Sequence, residues 1–406
     1  MSFTTGRPRR RDDLWITVGA RAISLLGDVT AVVALTLRLH DFGSGVWSIA
    51  ALFIADLVPV VVLAPLVGAL VDRYDSRLLL VWSGLAQAAL CFALAQAHQT
   101  ALVLGLVAAL GAGEALNGTT WQALLPDIVG VERLPAAMGL SQAGSTAALI
   151  VAPALGGLLT GAYGARVPLL VDAATFLVIA AAGLLVRTRR EVGRPAGHER
   201  RRGGYRLVRD DPMLVALLTM ISLFALLGGT VNVIEVYLVR DTLHSTATWY
   251  GLVGGAWAVG ALLGSMLGGR WRSAFALVRA VLATSAVLSL STVGFAAAPE
   301  VGWLLPVAVA GGAANGVLNV GVGALAMMRA AEHVRGRISA TVSGVTSAAM
   351  IGAYVLGGAL AASASPRQIY LIAGLLGMFA PLTLGRWLLR MGRATSVDAD
   401  RVLTPT

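Results

Sequence analysis

Long apolar stretches follow one another along almost the whole chain, and short polar connections separate them. A helix that crosses the hydrocarbon core of a bilayer needs about 20 consecutive, mostly apolar residues. By that measure the pattern predicts twelve membrane-spanning helices. The predicted spans are 14–38, 46–71, 77–97, 100–124, 135–161, 167–186, 213–238, 248–269, 275–297, 301–327, 337–361 and 368–390.

The composition supports a membrane protein. Of the 406 residues, 57% are hydrophobic and 13% are charged, whereas about 25% of the residues of a soluble protein are charged. The single cysteine, Cys91, lies within an apolar run, which excludes a disulfide framework and a thiolate metal site. The five histidines lack the spacing of metal ligands. We therefore expect no metal and no cofactor.

The basic residues are all arginines, and their distribution predicts the topology. Alternate loops and both tails are rich in arginine, and the remaining loops carry only Arg38, Arg166, Arg240 and Arg367. By the positive-inside rule both termini are cytoplasmic. The sequence thus predicts a multi-pass protein of a bacterial inner membrane. The net charge of +10 follows from this topology and requires no nucleic-acid partner.

A segment with nine arginines and several glycines, residues 187–212, divides the chain in two. Its composition is typical of a linker rather than of regular structure, and we interpret it as cytoplasmic. The predicted regions are an N-terminal tail (1–13), an N-terminal six-helix half (14–186), the linker (187–212), a C-terminal six-helix half (213–390) and a C-terminal tail (391–406).

The connector between the second and third spans, residues 68–77, reads GALVDRYDSR. This G-x-x-x-D-R-x-x-x-R pattern resembles the loop between the second and third helices of major facilitator superfamily transporters. The family usually has glycine where this chain has Asp75, and we expect this departure to make the turn less permissive. The resemblance implies a cytoplasmic gate in which the start of span 11 holds Asp72 when the gate is closed. The implied gate residues are Gly68, Asp72, Arg73, Arg77 and Arg337.

A second motif, APALGG at residues 152–157 in span 5, resembles the G-P-x-x-G-G exporter motif of the same superfamily, with Ala152 in place of glycine. Pro153 removes a backbone donor and kinks the helix, and Gly156 and Gly157 allow a neighbouring helix to approach closely. We predict a hinge at these residues. Ordinary packing of small residues is the alternative.

The two halves resemble each other. Gly68 and Gly268 each end the second span of a half, and residues 152–157 are echoed by AYVLGG at 353–358 in span 11. Repeats at corresponding positions are expected of two-lobed transporters.

Four further segments resemble one branch of the superfamily, the drug:proton antiporters that include macrolide-efflux and enterobactin exporters. These segments are 24–28, 125–129, 171–176 and 334–337. The resemblance implies an all-α membrane protein with the major facilitator fold, in which twelve transmembrane helices form two pseudo-symmetric six-helix halves. It does not identify the substrate. We also expect a monomer.

Polar residues at membrane depth are costly unless they face a cavity or a partner. Four predicted spans carry a pair of them on a single helix face: Arg21 and Asp28 in span 1, Glu114 and Asn117 in span 4, Asn232 and Glu235 in span 7, and Asn315 and Asn319 in span 10. In the superfamily fold these four helices line the central cavity. We therefore predict that the four pairs contact the substrate. Asp56 and Asp172 are interpreted as structural.

Asp28, Glu114 and Glu235 are the candidate proton carriers. Burial of a carboxyl group generally favours its neutral form, so such a group can be protonated in one conformation and ionised in the other. We predict Glu235 as the coupling acid, with Asp28 as its rival. A structural ion pair or hydrogen bond is the alternative for each acid.

The predicted function is proton-coupled efflux of hydrophobic or cationic small molecules, such as drugs and toxins, across the inner membrane by alternating access. The sequence has no phosphate-binding loop and no catalytic set of nucleophile and base, so neither ATP-driven transport nor an enzyme is expected. Two alternatives remain: a dedicated exporter of one metabolite, such as a siderophore or antibiotic, and a translocator of lipids or amphiphiles.

Overall fold

A computed structural model describes residues 11–188, 208–271, 273–329 and 334–403. Most of the predicted linker and parts of both predicted tails lie outside the described residues. Within these ranges the chain is helical and contains no strand.

The helices follow each other with short connections. In chain order they are α1 (Arg11–Asp41), α2 (Val46–Val62), α3 (Ala64–Arg73), α4 (Ser76–Gln96), α5 (Thr100–Val129), α6 (Leu134–Tyr163), α7 (Arg166–Leu185), α8 (Pro212–Tyr237), α9 (Ala247–Gly268), α10 (Ala274–Ala296), α11 (Val301–Arg329), α12 (Arg335–Leu360) and α13 (Pro366–Leu403). By length and composition, eleven helices of the described chain can each cross a membrane, and α2 with α3 supplies a twelfth, bent span. The predicted all-α membrane fold is confirmed.

The second predicted span, 46–71, is not one straight helix. It breaks at Leu63, and α2 and α3 meet there at an angle of 51°. Pro59 lies inside α2 and Pro65 lies in the first turn of α3. Because proline donates no backbone hydrogen bond and its ring crowds the preceding turn, two prolines around one residue explain the bend.

The described helices form two compact units. The first contains the described residues of Met1–Ser44 and Leu52–His198, and the second contains those of Gly45–Ala51 and Glu199–Thr406. In the first unit α1 packs on α6, α4 packs on α7, and α3 packs on α5. In the second unit the corresponding helices pair in the same way: α8 with α12, α10 with α13, and α9 with α11. The two units therefore repeat one arrangement.

The repeat extends to individual hydrogen bonds. In the first unit the Thr30 hydroxyl of α1 donates to the Ala152 carbonyl of α6, at 3.2 Å. In the second unit the Thr230 hydroxyl of α8 donates to the Ala353 carbonyl of α12, also at 3.2 Å. All four residues are buried. Each bond joins the first helix of a unit to the helix that carries the APALGG or AYVLGG segment.

Replacing Thr30 with valine is expected to destabilise the first unit by about 0.5–1.5 kcal/mol, because it removes the interhelical hydrogen bond at nearly constant volume. Thr36→Val is the matched control, since the Thr36 hydroxyl donates to the Val32 carbonyl within α1. Thermal unfolding of the purified protein in detergent measures both variants. Equal loss of stability in the two would show that the contact with Ala152 contributes nothing.

The α9–α11 pair of the second unit is held together by reciprocal glycines. A methyl group at any of four glycines would collide with a backbone carbonyl of the opposite helix. Gly260 and Gly264 of α9 face the Val309 and Ala313 carbonyls, and Gly312 and Gly316 of α11 face the Trp257 and Ala261 carbonyls. Small residues permit such close approach of helix backbones in membranes. Gly260 and Gly264 therefore form a packing surface of α9.

Two arginines from the loops that contain few arginines bind the ends of helices. Arg38 donates to the Leu94 carbonyl at 2.9 Å and also to the Ala97 carbonyl, at the C-terminus of α4. Arg367 donates to the Ala298 carbonyl, just beyond α10, at 2.8 Å. The last carbonyls of a helix have no intrahelical partner, and a cation satisfies them.

Candidate functional site

A cavity of about 270 Å³ lies inside the first unit. Residues of α1, α2, α3, α4, α5 and α7 line it. The polar and aromatic side chains that matter below are Arg21, Asp28, Gln87, Glu114, Asn117 and Trp121. The two polar pairs predicted for spans 1 and 4 thus meet at one cavity.

Carboxyl groups outnumber cations at this cavity. Asp28 and Glu114 line it together with Arg21. Asp28 is also within electrostatic range of Asp56 and Asp172. Within the described chain neither Asp28 nor Glu114 has a hydrogen-bond or ion-pair partner. With four carboxyl groups and one guanidinium close together, like charges repel, and a bound cation would relieve this repulsion.

Asp172 is held by its surroundings. Its side chain is buried and accepts hydrogen bonds from the Cys91 thiol at 3.2 Å and from the Thr175 hydroxyl at 3.1 Å. It also packs against α1 at Gly27, where an added Cβ would lie 2.5 Å from the Asp172 carboxylate. This set of partners supports the interpretation of Asp172 as a structural residue.

A chain of neutral polar side chains forms part of the cavity wall, and sequence reasoning missed most of it. The Ser83 hydroxyl donates to the Asn117 side-chain oxygen, and the Asn117 amide donates to the Gln87 side-chain oxygen. Ser83 and Gln87 are four residues apart on α4, so they lie on one helix face. Two polar side chains four residues apart in an apolar helix were the signal in the sequence that could have identified this part of the wall.

The other two predicted pairs belong to the second unit. Glu235 is half-buried on α8 and Asn232 is exposed. Glu235 is within electrostatic range of Tyr370, a buried residue of α13 that stacks on Phe295. Within the described residues no hydrogen bond reaches the Glu235 carboxylate.

The asparagine pair of α11 is locally satisfied. The Asn319 amide donates to both the backbone and the side-chain oxygen of Asn315, at 2.8 Å each. Both contacts are within one helix. Contact of this pair with the substrate stays a prediction.

The connector at 68–77 has well-defined local roles. Asp75 is the N-cap of α4 and accepts from the Arg77 amide at 2.8 Å; its backbone is extended, with φ −61°. The expectation of a less permissive turn was wrong, because the position needs no left-handed residue. The Arg77 guanidinium donates to the Gly183 and Leu184 carbonyls, at 3.1 and 2.7 Å. Arg77 therefore caps α7 in the first unit.

The remaining gate residues are distributed over both units. Gly68 is buried in α3, Asp72 is half-buried near its end, and Arg73 is exposed. Arg337 is half-buried in the first turn of α12, in the second unit.

The exporter-like motif packs against α1. A Cβ at Gly156 would lie 3.0 Å from the Thr30 carbonyl, and one at the equivalent Gly357 would lie 2.9 Å from the Thr230 carbonyl. Pro153 lies inside α6, and Gly157 is buried. The glycines thus allow α6 and α12 to approach the first helix of each unit.

Two repeated helical units, apolar spans that number up to twelve in the described residues, and a cavity lined by charged side chains of those spans are typical of a multi-pass membrane transporter. The sequence matches the Major Facilitator Superfamily over residues 17–240 and 219–403. These ranges cover most of the chain, which therefore belongs to the Major Facilitator Superfamily. No curated protein sequence matches the chain.

Solved structures share the fold at low sequence identity. The nucleoside transporter NupG is 11% identical, with a TM-score of 0.74 over 95% of this chain and 99% of that chain. A POT family transporter in complex with a thioalcohol-conjugated peptide is 10% identical, with a TM-score of 0.72 over 93% and 96%. A bacterial homologue of the iron transporter ferroportin, in an inward-facing state, is 16% identical, with a TM-score of 0.70 over 93% and 98%. These likenesses confirm the fold. The family match makes the chain a transporter of a small-molecule substrate.

Proposed function

We propose that this transporter exports hydrophobic cations in exchange for protons, as a monomer of the drug:proton antiporter branch in a bacterial inner membrane with both termini cytoplasmic. The observation that carries the proposal is the cavity of the first unit, where Asp28 and Glu114 face the open space and Arg21 is the only basic side chain of the lining. A wall of mixed apolar and polar side chains, with two carboxyl groups and one guanidinium, suits a hydrophobic cation.

Coupling follows from competition between proton and cation. A bound cation favours ionised carboxylates, and protonation weakens cation binding; this reciprocal dependence is the coupling free energy. We assign cation binding to Asp28 and Glu114. We assign the transported proton first to Glu235, to whose carboxylate no described hydrogen bond is made. Glu235 belongs to the second unit, so its protonation is coupled to cation binding through the conformational change of transport and not through competition for one carboxylate. Asp28 is the rival carrier.

The proposal is tested in proteoliposomes with an imposed pH gradient and a labelled hydrophobic cation. The gradient is expected to drive the cation uphill, and collapse of the gradient should stop transport. Asp28→Asn is expected to weaken cation binding at least tenfold. A carboxylate in a cavity that is shielded from bulk water contributes more than about 1.4 kcal/mol to the binding of a nearby cation. Asp41→Asn, at the exposed end of the same helix, is the control. Transport of the cation without any response to the gradient would favour a lipid or metabolite translocator.

We further propose that Gly68, Asp72, Arg73, Arg77 and Arg337 form the cytoplasmic gate and that Pro153, Gly156 and Gly157 form the hinge of α6. Asp72→Asn is expected to lower transport severalfold while substrate affinity stays within about twofold, since a gate residue does not contact the substrate. Asp75→Asn is the control, because asparagine caps a helix as well as aspartate does. Parallel loss of binding and transport in Asp72→Asn would indicate misfolding rather than a gate.

A further inference from the structure

The charged side chains that line the cavity of the first unit are accessible and carry both signs. Arg21 and Asp28 of α1 are half-buried, and Glu114 of α5 is exposed. None of the three makes a hydrogen bond or a salt bridge to another described residue. A charged group at membrane depth is costly without a partner, so a molecule that pairs with both signs would be stabilised in this cavity.

The Arg21 guanidinium reaches α5 at a position that has no side chain. Its Nη1 atom would lie 3.9 Å from a Cβ added at Gly118. Glu114 precedes Gly118 by one helical turn, which is about 6 Å along the axis of α5. No salt bridge joins Arg21 to Glu114 within the described chain. The donors of the guanidinium are therefore not used by a carboxylate of the cavity lining.

The two carboxyl groups lie toward one end of the cavity, and Arg21 lies toward the other. Asp28 follows Arg21 by seven residues, which is about 10 Å along the axis of α1. The neighbour of Arg21 on α5 is Gly118. The neighbour of Asp28 on α5 is Glu114, one turn earlier, so the two helices run in opposite directions. Both acids are thus displaced from Arg21 in the same sense, by roughly 6–10 Å.

We propose that Arg21 binds an anionic group of the transported molecule, which is a zwitterion: a hydrophobic cation that also carries a carboxylate. The inference rests on the proposed export of hydrophobic cations and narrows that class. The cationic group binds at Asp28 and Glu114. The carboxylate binds the Arg21 guanidinium, whose planar fork of donors matches its two oxygens. A cation without a carboxylate leaves Arg21 unpaired and binds more weakly.

A purely compensating role for Arg21 predicts the opposite preference. In that case the guanidinium only offsets the charge of the neighbouring carboxyl groups. An anionic group on the ligand would then be repelled by Asp28 and Glu114 without a favourable contact in return. The cavity would prefer the cation that has no carboxylate, so the sign of the preference separates the two roles.

The test compares two triphenylphosphonium cations with a butyl chain that ends in a carboxylate in one and in a primary amide in the other. At a pH of about 7.5 the carboxylate is ionised, and the amide has nearly the same size. Equilibrium dialysis with the purified full-length protein gives both dissociation constants. The carboxylate cation is expected to bind about tenfold more tightly, as one charge-assisted contact predicts. The measured quantity is the ratio of the amide constant to the carboxylate constant, because this ratio cancels any general loss of affinity.

The same pair of cations with an ethyl chain tests the separation of the two ends. The shorter chain keeps the carboxylate beside Asp28 and Glu114 when the phosphonium group is bound there. The ratio for the ethyl pair is therefore expected to be one or less in the wild type.

Arg21→Gln is expected to reduce the ratio for the butyl pair to one or less, and Arg21→Lys, which keeps the charge, is expected to retain part of it. Arg166→Gln makes the same change at the exposed start of α7, outside the cavity lining, and is expected to keep the ratio. If Arg21→Gln fails to fold, the wild type with both chain lengths and Arg21→Lys suffice.

A butyl ratio of one or less in the wild type would overturn the anion site while leaving cation export intact. An unchanged butyl ratio in Arg21→Gln would show that Arg21 does not bind the carboxylate. A tenfold ratio with the ethyl chain as well would contradict the separation of the two ends. Absence of binding for all four cations would contradict the proposed function itself, and the anion site would fall with it.

Discussion

Glu235→Gln is expected to abolish proton-driven uphill export while exchange of substrate across the membrane remains measurable. Glutamine has the shape of a protonated glutamate and cannot release a proton, so the transporter would cycle without moving one. The expected loss of gradient-driven accumulation is about a hundredfold or more, the range that removal of a proton-transfer group produces. Both activities are measured in the same vesicle preparation, with and without the pH gradient.

Glu300→Gln is the matched control, since Glu300 is an exposed glutamate of the same unit that lies outside the spans. Full proton-driven export by Glu235→Gln would transfer the assignment to Asp28 or Glu114. Should single neutralisation of all three acids leave coupling complete, the antiporter proposal would fail. A passive or lipid-moving function would then fit better.

Gly316→Ala is expected to destabilise the second unit by about 1–3 kcal/mol, the usual cost of forcing extra volume into a packed contact. The added methyl would meet the Ala261 carbonyl and lie 2.8 Å from the Ser265 amide nitrogen. Since backbone atoms cannot move aside as a side chain can, α9 and α11 would have to separate. Thermal unfolding and the yield of monodisperse protein in detergent measure the effect.

Gly323→Ala provides an internal comparison, because Gly323 lies on the same helix and an added Cβ there would meet nothing within 4 Å. At this site alanine is expected to leave stability unchanged or to raise it by up to about 1 kcal/mol through its better helix propensity. Equal melting temperatures for the two variants would contradict the reciprocal packing.

The number of spans and the repeat of the two halves were predictable because lipid imposes a simple rule. Every spanning segment must be long, apolar and helical. The bend between α2 and α3 was not predicted, although Pro59 and Pro65 were visible. Prolines are tolerated in many membrane helices, and whether they break a helix depends on the neighbours that satisfy the freed carbonyls.

The candidate site was predictable only in part. Periodicity placed Arg21 with Asp28 and Glu114 with Asn117 on single helix faces, and these pairs do meet at one cavity. The contribution of Gln87 depends on the neighbouring α5, whose Asn117 and Gly113 position its amide. Spacing within one helix contains no information about such contacts between helices, so the polar wall became visible only in three dimensions.

The two halves differ in how much substitution their corresponding helices can absorb. Between α9 and α11, four glycines meet opposing carbonyls, and any side chain there disrupts the contact. The corresponding helices of the first unit line the cavity. The matching contact there is that of Gly111 of α5 with the Asp56 carbonyl. We therefore expect new substrate preferences to evolve through changes in the first half, while the second half stays nearly invariant between α9 and α11. A library of random variants selected for a new cation would reveal this as an uneven distribution of accepted substitutions.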